Sequence, residues 1–139
     1  MKRLLKRILP LALALLLVLG FAWYFTPKTH LKSIDPQTVC KIEVQSGESG
    51  KRFTIEDPIA IAEICHAIST CLTQRDGRSC NHDGFAYHLI LRSSDGRVLD
   101  TLIINSAQSL RDDPFFYRVT DGALPFGLLC EQETLLAGN

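Results

Sequence analysis

The sequence predicts an α+β fold, in which an N-terminal transmembrane helix precedes one small domain with an antiparallel sheet and helices on one face. Three observations predict it. An uncharged apolar run fills residues 8–25, alternation of apolar and polar residues recurs in five later segments, and helical spacing appears twice. The predicted order behind the anchor is β-β-α-β-β-β-α.

The predicted membrane anchor covers residues 8–26. Its apolar run reaches roughly 27 Å as a helix, close to the ~30 Å thickness of a bilayer's hydrocarbon core. The basic stub, residues 1–7, is predicted to stay in the cytoplasm by the positive-inside rule, which places residues 31–139 outside. Trp23 and Tyr24 stand where an aromatic belt meets the far membrane interface.

A cleaved secretory signal is the alternative reading of the same stretch. The stretch Gly20-Phe21-Ala22 supplies two small residues, Gly20 and Ala22, at the spacing that a signal peptidase requires, and a cut near Ala22 yields a secreted domain. The apolar run continues through Phe25 instead of turning polar before the cut, which favours an uncleaved anchor.

Residues 27–37 are predicted to be a polar linker that spaces the domain, residues 38–139, from the bilayer. The first two strands follow it. Apolar residues alternate with polar ones from Cys40 to Val44, and again at Phe53 and Ile55. Because a short turn joins the two segments, they are predicted to pair as a hairpin.

A helix is predicted to start at Asp57 and Pro58. Asp57 is suited to cap the helix, and Pro58 suits its first turn, where an N–H has no partner anyway. The apolar residues that follow recur at helical spacing and form the stripe that is predicted to cross the sheet, namely Ile61, Ile64, Cys65, Ile68 and Leu72.

The second half of the domain alternates turns with strands. Residues 73–84 are polar and are predicted to form a loop. Strands are predicted at residues 85–92 and 98–105, joined by a turn at Asp95 and Gly96, with the second strand central in the sheet. Residues 107–114 are predicted to be irregular or a short edge strand, residues 115–120 the last strand, and residues 125–136 a closing helix.

Charge separates the two ends of the chain. All fifteen Asp and Glu lie after residue 30, together with only ten of the fifteen Lys and Arg. An acidic domain without a basic face has no electrostatic reason to bind nucleic acid. Residues 45–52 resemble the end of a phosphate-binding loop, but Gln45 and Arg52 replace the required Gly and Ser/Thr, so no nucleotide is expected.

Five cysteines lie in the predicted exported part, where disulfides form. Because five is odd, at least one cysteine is unpaired within the molecule. Cys71 and Cys80 are the candidate disulfide, since that bond ties the end of the helix to the following loop. Buried reduced thiols are the alternative.

No catalytic, metal or cofactor site is predicted. Cys65 and His66 are adjacent on a helix, so their side chains do not face each other. Cys80 with His82, and His88 further on, offer only a weak metal or thiol pattern. The acidic pair Asp112 and Asp113, and Glu131 with Glu133, are interpreted as solvated surface.

The arrangement resembles small uncharacterised extracytoplasmic domains that Gram-positive, especially clostridial, bacteria carry behind one N-terminal anchor. The resemblance is carried by the anchor, Glu56-Asp57-Pro58 before an Ile-rich helix, the Asp95-Gly96 hairpin and Tyr117. It implies a membrane-anchored location, and it brings no catalytic residues.

Three functions follow as hypotheses. The first is a non-enzymatic ectodomain that binds a protein, peptide or envelope component. The second is a structural subunit of a membrane complex, held mainly by its transmembrane helix. The third is a small thiol- or metal-dependent hydrolase that uses Cys80, His82 and His88.

Overall fold

The structure is a computed structural model that describes residues 2–137, so Met1 and the last two residues of the predicted domain lie outside the described range. Its helices and antiparallel sheet confirm the α+β fold. The helices are α1 (Lys2–Phe25), α2 (Pro58–Thr70) and α3 (Phe126–Leu136); the strands are β1 (Lys41–Ser46), β2 (Arg52–Ile55), β3 (Leu72–Arg78), β4 (Tyr87–Arg92), β5 (Val98–Ser106), β6 (Ser109–Asp112) and β7 (Phe115–Asp121).

The strands form one seven-stranded sheet in the order β2-β1-β4-β5-β6-β7-β3. The predicted hairpin of β1 and β2 is confirmed, and β5 lies inside the sheet as expected. β6 also lies inside the sheet, between β5 and β7, and is not the edge strand that the sequence suggested.

The prediction of a loop over residues 73–84 is wrong in its first half. β3 begins directly after α2 and pairs antiparallel with β7, which makes it an edge of the sheet. Thr73 is the one buried residue of β3, so the strand needs few apolar side chains. Its sequence therefore lacks the alternation of apolar and polar residues by which a strand is recognised.

The predicted disulfide between Cys71 and Cys80 is not formed, and all five cysteines are free thiols. The missed strand is the reason. Cys71 precedes β3 and Cys80 follows it, so seven extended residues separate them by roughly 20 Å. A disulfide needs Cα atoms within about 7 Å.

The hydrophobic core lies between one face of the sheet and the two helices α2 and α3. Asp57 caps α2 as predicted, because its carboxylate accepts hydrogen bonds from the N–H groups of Ile59 and Ala60, and Pro58 occupies the first turn. The apolar stripe is buried at Ile61, Ile64, Cys65 and Ile68, and Leu129 of α3 joins the same cluster. Both helices therefore cover one face.

We predict that Ile64→Ala or Ile68→Ala lowers the free energy of unfolding by about 2–5 kcal/mol, because both side chains are fully buried. Ile59 is the matched control, since it lies on the same helix and is 69% exposed; Ile59→Ala is expected to change stability by about 0.5 kcal/mol or less. Denaturant unfolding of the three variants checks the prediction. Equal stability of all three would contradict the placement of α2.

Candidate functional site

The sheet face opposite α2 and α3 is lined with solvent-accessible side chains. We call this surface the open face. Alternation along each strand places these residues there, while their neighbours point into the core. On β1, β2 and β4 to β7, the open face consists of Lys41, Glu43, Gln45, Arg52, Thr54, His88, Ile90, Arg92, Thr101, Ile103, Arg111, Phe116 and Arg118.

One row of side chains crosses the middle of the open face. The strand registers pair Arg52 with Gln45, Gln45 with His88, and His88 with Ile103, and Ile103 in turn pairs with Arg111. Residues paired in this way have neighbouring side chains on the same face. His88 therefore stands at the centre of a row with an arginine at each end.

Two grooves indent this surface. The first encloses about 360 Å³ and is lined by the open-face side chains of β1, β2 and β4. The second encloses about 450 Å³ and is lined by Ile103, Thr101 and Arg111, with Asp83 and Asp113 at its rim. His88 lines both grooves, so the two meet at its ring.

The loop of residues 81–85 forms a wall of the second groove. Arg111 donates from Nη1 to the carbonyl oxygen of His82 at 2.5 Å, and the His82 ring meets the Phe116 ring edge-on at 5.1 Å. Phe85 stands 5.9 Å from the His88 ring. These contacts hold the loop against the sheet and leave the groove open.

His88 and Glu43, two ionisable groups of the open face, differ in their charge at pH 7. Partial burial, with Arg111 nearby, holds the pKa of His88 below its ordinary value of 6.5, so its ring is neutral at pH 7. Hydrogen bonds from Arg92 and Lys41 lower the pKa of Glu43, which stays ionised.

The open face carries more positive charge than the acidic composition of the domain predicts. Among the open-face positions of β1, β2 and β4 to β7, five are Lys or Arg and Glu43 is the one carboxylate. Asp83 and Asp113 at the rim leave the surface net positive, although the ectodomain as a whole is acidic. Register, which decides the face on which each charge falls, produces this asymmetry.

A second cluster joins the predicted linker to the domain. Lys28 forms an isolated β-bridge with Thr73: each N–H donates to the other residue's carbonyl, at 2.8 and 2.9 Å. His30 and Leu31 are 5% and 6% exposed. The linker therefore packs against the sheet edge and core, and is not the polar spacer that the sequence suggested.

Side chains complete this attachment. Asp112 accepts from Lys28 Nζ at 2.9 Å, and His30 Nδ1 lies 3.3 Å from the same carboxylate oxygen. His30 Nε2 lies 3.1 Å from Thr73 Oγ1, and the imidazole meets the Tyr117 ring edge-on at 4.6 Å. We call Lys28, His30, Thr73 and Asp112 the clasp. Asp112 is thus bound and half-buried, and is not the solvated carboxylate expected from the sequence.

The clasp has the connectivity of a carboxylate–imidazole–hydroxyl catalytic relay. Two observations assign it a structural role. Thr73 is fully buried, so no substrate can reach its hydroxyl. That hydroxyl also lies 2.7 Å from the carbonyl oxygen of Lys28, to which it can donate.

Arg75 on β3 binds the C-terminal end of α1. Its Nη1 donates to the carbonyl oxygens of Trp23 and Tyr24 at 2.8 and 3.2 Å, and its guanidinium lies 4.1 Å from the centre of the Trp23 ring. The last carbonyls of a helix have no partner within it, and a cation is favourable there. Phe115 contacts both aromatic rings. Trp23 and Tyr24, predicted at the membrane interface, thus also contact the domain.

The structure does not assemble the predicted thiol and metal candidates. Burial raises the pKa of the Cys65 thiol to about 11, which keeps it protonated. His82 Nδ1 faces the backbone oxygen of Cys80, at 3.3 Å. No group of three or more His, Cys, Asp or Glu placed to hold a metal occurs within the described residues.

The clasp and Arg75 were missed by sequence reasoning. Their partners lie far along the chain: 84 residues separate Lys28 from Asp112, and 52 separate Arg75 from Trp23. A lone His30 in a polar stretch carries no signal of burial.

Comparison with protein-family models, curated proteins and solved structures finds no match to this chain.

The clasp predicts a loss of stability in acid. The hydrogen bond from His30, with Lys28 beside it, lowers the pKa of Asp112 from 3.8 to about 2. A depressed carboxyl pKa contributes stability that is present above pH 3.8 and is lost as the pH falls through about 2. Asp112→Asn is expected to cost about 1–2 kcal/mol at pH 7 and to flatten this acid dependence.

Denaturant unfolding followed by circular dichroism between pH 7 and pH 2 measures both effects. Asp76→Asn is the matched control, because Asp76 is an exposed carboxylate on β3. Curves for Asp112→Asn that overlay the unsubstituted protein at every pH would show that the clasp adds no stability.

Proposed function

We propose that this protein is a single-pass, membrane-anchored binding module whose open face captures a ligand outside the cell membrane. In this proposal the basic stub stays in the cytoplasm, α1 spans the bilayer uncleaved, and the domain that follows is extracytoplasmic. Support comes from Ile8–Phe25, which has a mean hydropathy of 2.3 and is long and apolar enough to span a membrane. The helix continues to Phe25, beyond the candidate cleavage site at Ala22.

The observation that carries the proposal is the one-sided covering of the sheet. Both helices and the linker pack on the core face, while the open face presents two grooves that meet at His88. Ile90 is half-exposed on this surface, and Ile103 floors the second groove. Concave surfaces that mix apolar side chains with a few polar groups are typical ligand sites.

A non-enzymatic role is proposed because the groups at the site lack a nucleophile–base pair. His88, the candidate base, is flanked by Gln45 and Ile103 across the strands. Cys80, the candidate thiol, is exposed in the segment before the loop. Neither nucleotide nor nucleic acid is proposed as a ligand, since ATP is scarce outside the cell and the ectodomain as a whole is acidic.

A structural subunit of a membrane complex is the second candidate, and the contacts of Arg75 favour it. Two hydrogen bonds and a stacked indole fix the end of α1 to the domain. A helix partner in the membrane would therefore also orient the domain. In this case the main contacts of the protein lie on α1, and the open face has no ligand.

Photo-crosslinking in intact cells separates the two candidates. A photoreactive amino acid is placed at Ile90 on the open face, at Leu15 on α1, and at Ile59 on α2 as the control. Leu15 and Ile59 are 59% and 69% exposed. The binding module predicts a discrete adduct from position 90 and none from position 59.

The other outcomes are equally specific. A discrete adduct from position 15 without one from position 90 would establish the complex subunit instead. Similar adduct patterns from positions 90 and 59 would show that the open face is ordinary surface, which would overturn the proposed function.

A further inference from the structure

The positive charges that line the open face are only partly neutralised by carboxylates. Lys41 and Arg92 share the carboxylate of Glu43, at 3.1 and 2.9 Å. Arg111 contacts Asp113 at the rim, at 3.2 Å. Arg52 and Arg118 are exposed and make no ion pair within residues 2–137. Two cations with unused hydrogen-bond donors thus stand on opposite sides of the grooves.

The distance between these two arginines sets the length of a ligand that joins them. Arg52 lies on β2 and Arg118 on β7, with β1, β4, β5 and β6 between them. At about 4.8 Å per strand, five spacings give roughly 24 Å measured along the sheet. An extended peptide covers that span with about seven residues.

Apolar side chains between the arginines favour a peptide over a sugar-phosphate polymer. Ile90 and Ile103 lie on the central strands β4 and β5, Phe116 lies on β7 with Arg118, and Ile103 lines the second groove. A peptide can cover the partly exposed Ile90 and Phe116 with apolar side chains of its own, whereas a phosphate polymer leaves them in water. Guanidinium groups bind carboxylates through paired hydrogen bonds.

We propose that the open face binds an extended acidic peptide segment of a partner protein, with carboxylates at Arg52 and Arg118 and an apolar side chain over Ile90. This inference rests on the proposed function, because it names the ligand of the same surface. The peptide crosses the strands, so the central row from Gln45 to Arg111 lies beneath it.

The test uses the full-length protein in bilayer discs of uncharged phospholipid. The probe is a fluorescein-labelled peptide of roughly seven residues, Asp-Ser-Leu-Ser-Leu-Ser-Asp, because an extended chain then presents its two aspartates and two leucines on the same side. A lysine–leucine peptide of the same length and inorganic polyphosphate are the comparison ligands. We expect the aspartate peptide to bind more tightly than either, with an affinity that falls as salt rises.

Charge reversal locates the site. The double substitution Arg52→Glu and Arg118→Glu is expected to weaken binding of the aspartate peptide about tenfold or more. The matched control, Lys32→Glu with Arg97→Glu, makes the same change of charge at exposed positions off the face and is expected to leave affinity within about twofold. Equal weakening by both pairs would overturn the proposed site.

Three further outcomes are informative, and the last two separate this inference from the proposed function. Polyphosphate binding as tightly as the aspartate peptide would overturn the peptide as ligand. If the aspartate peptide fails to bind while position 90 still gives its discrete adduct, the inference falls and the proposed function stands. If the position 90 adduct is also absent, both fall.

Discussion

The pairing of the linker with the sheet edge is the interaction on which the rest of the structure depends. Lys28 and Thr73 exchange two backbone hydrogen bonds, and this places His30 and Leu31 in the core. A buried imidazole has to find polar partners, and it finds them in Asp112 and Thr73. The same strand brings Arg75 to the last carbonyls of α1. The helix, the linker and the sheet are thereby joined by polar groups that fulfil each other's hydrogen-bonding requirements.

The one-sided covering of the sheet has a direct consequence for the proposed function. Because the helices and the linker all pack on the core face, the charges on the alternate strand positions are left together on the open face. The clasp and Arg75 then determine how this surface is oriented relative to α1. If α1 spans the bilayer as we propose, the open face has a defined direction toward ligands at the membrane surface.

Short-range sequence patterns, such as alternation, turn residues and helix caps, correctly predicted the elements that neighbouring residues determine. The hairpin of β1 and β2, the capped start of α2 at Asp57 and the interior position of β5 are confirmed. β3 was missed because an edge strand with one buried residue shows no alternation. That error produced the wrong disulfide between Cys71 and Cys80. The clasp and the basic open face depend on register and on contacts between distant segments, and composition alone does not report either.

Trp23 provides the most direct measurement of the central claim, that α1 and the domain are rigidly joined. It is the only tryptophan in the chain, and Arg75 stacks on its ring. Time-resolved fluorescence anisotropy of the full-length protein in bilayers is predicted to show an immobile indole, which becomes mobile in Arg75→Gln but not in the control Arg78→Gln. A Trp23 that is as mobile in the unsubstituted protein as in Arg75→Gln would contradict the account and would place a hinge between helix and domain.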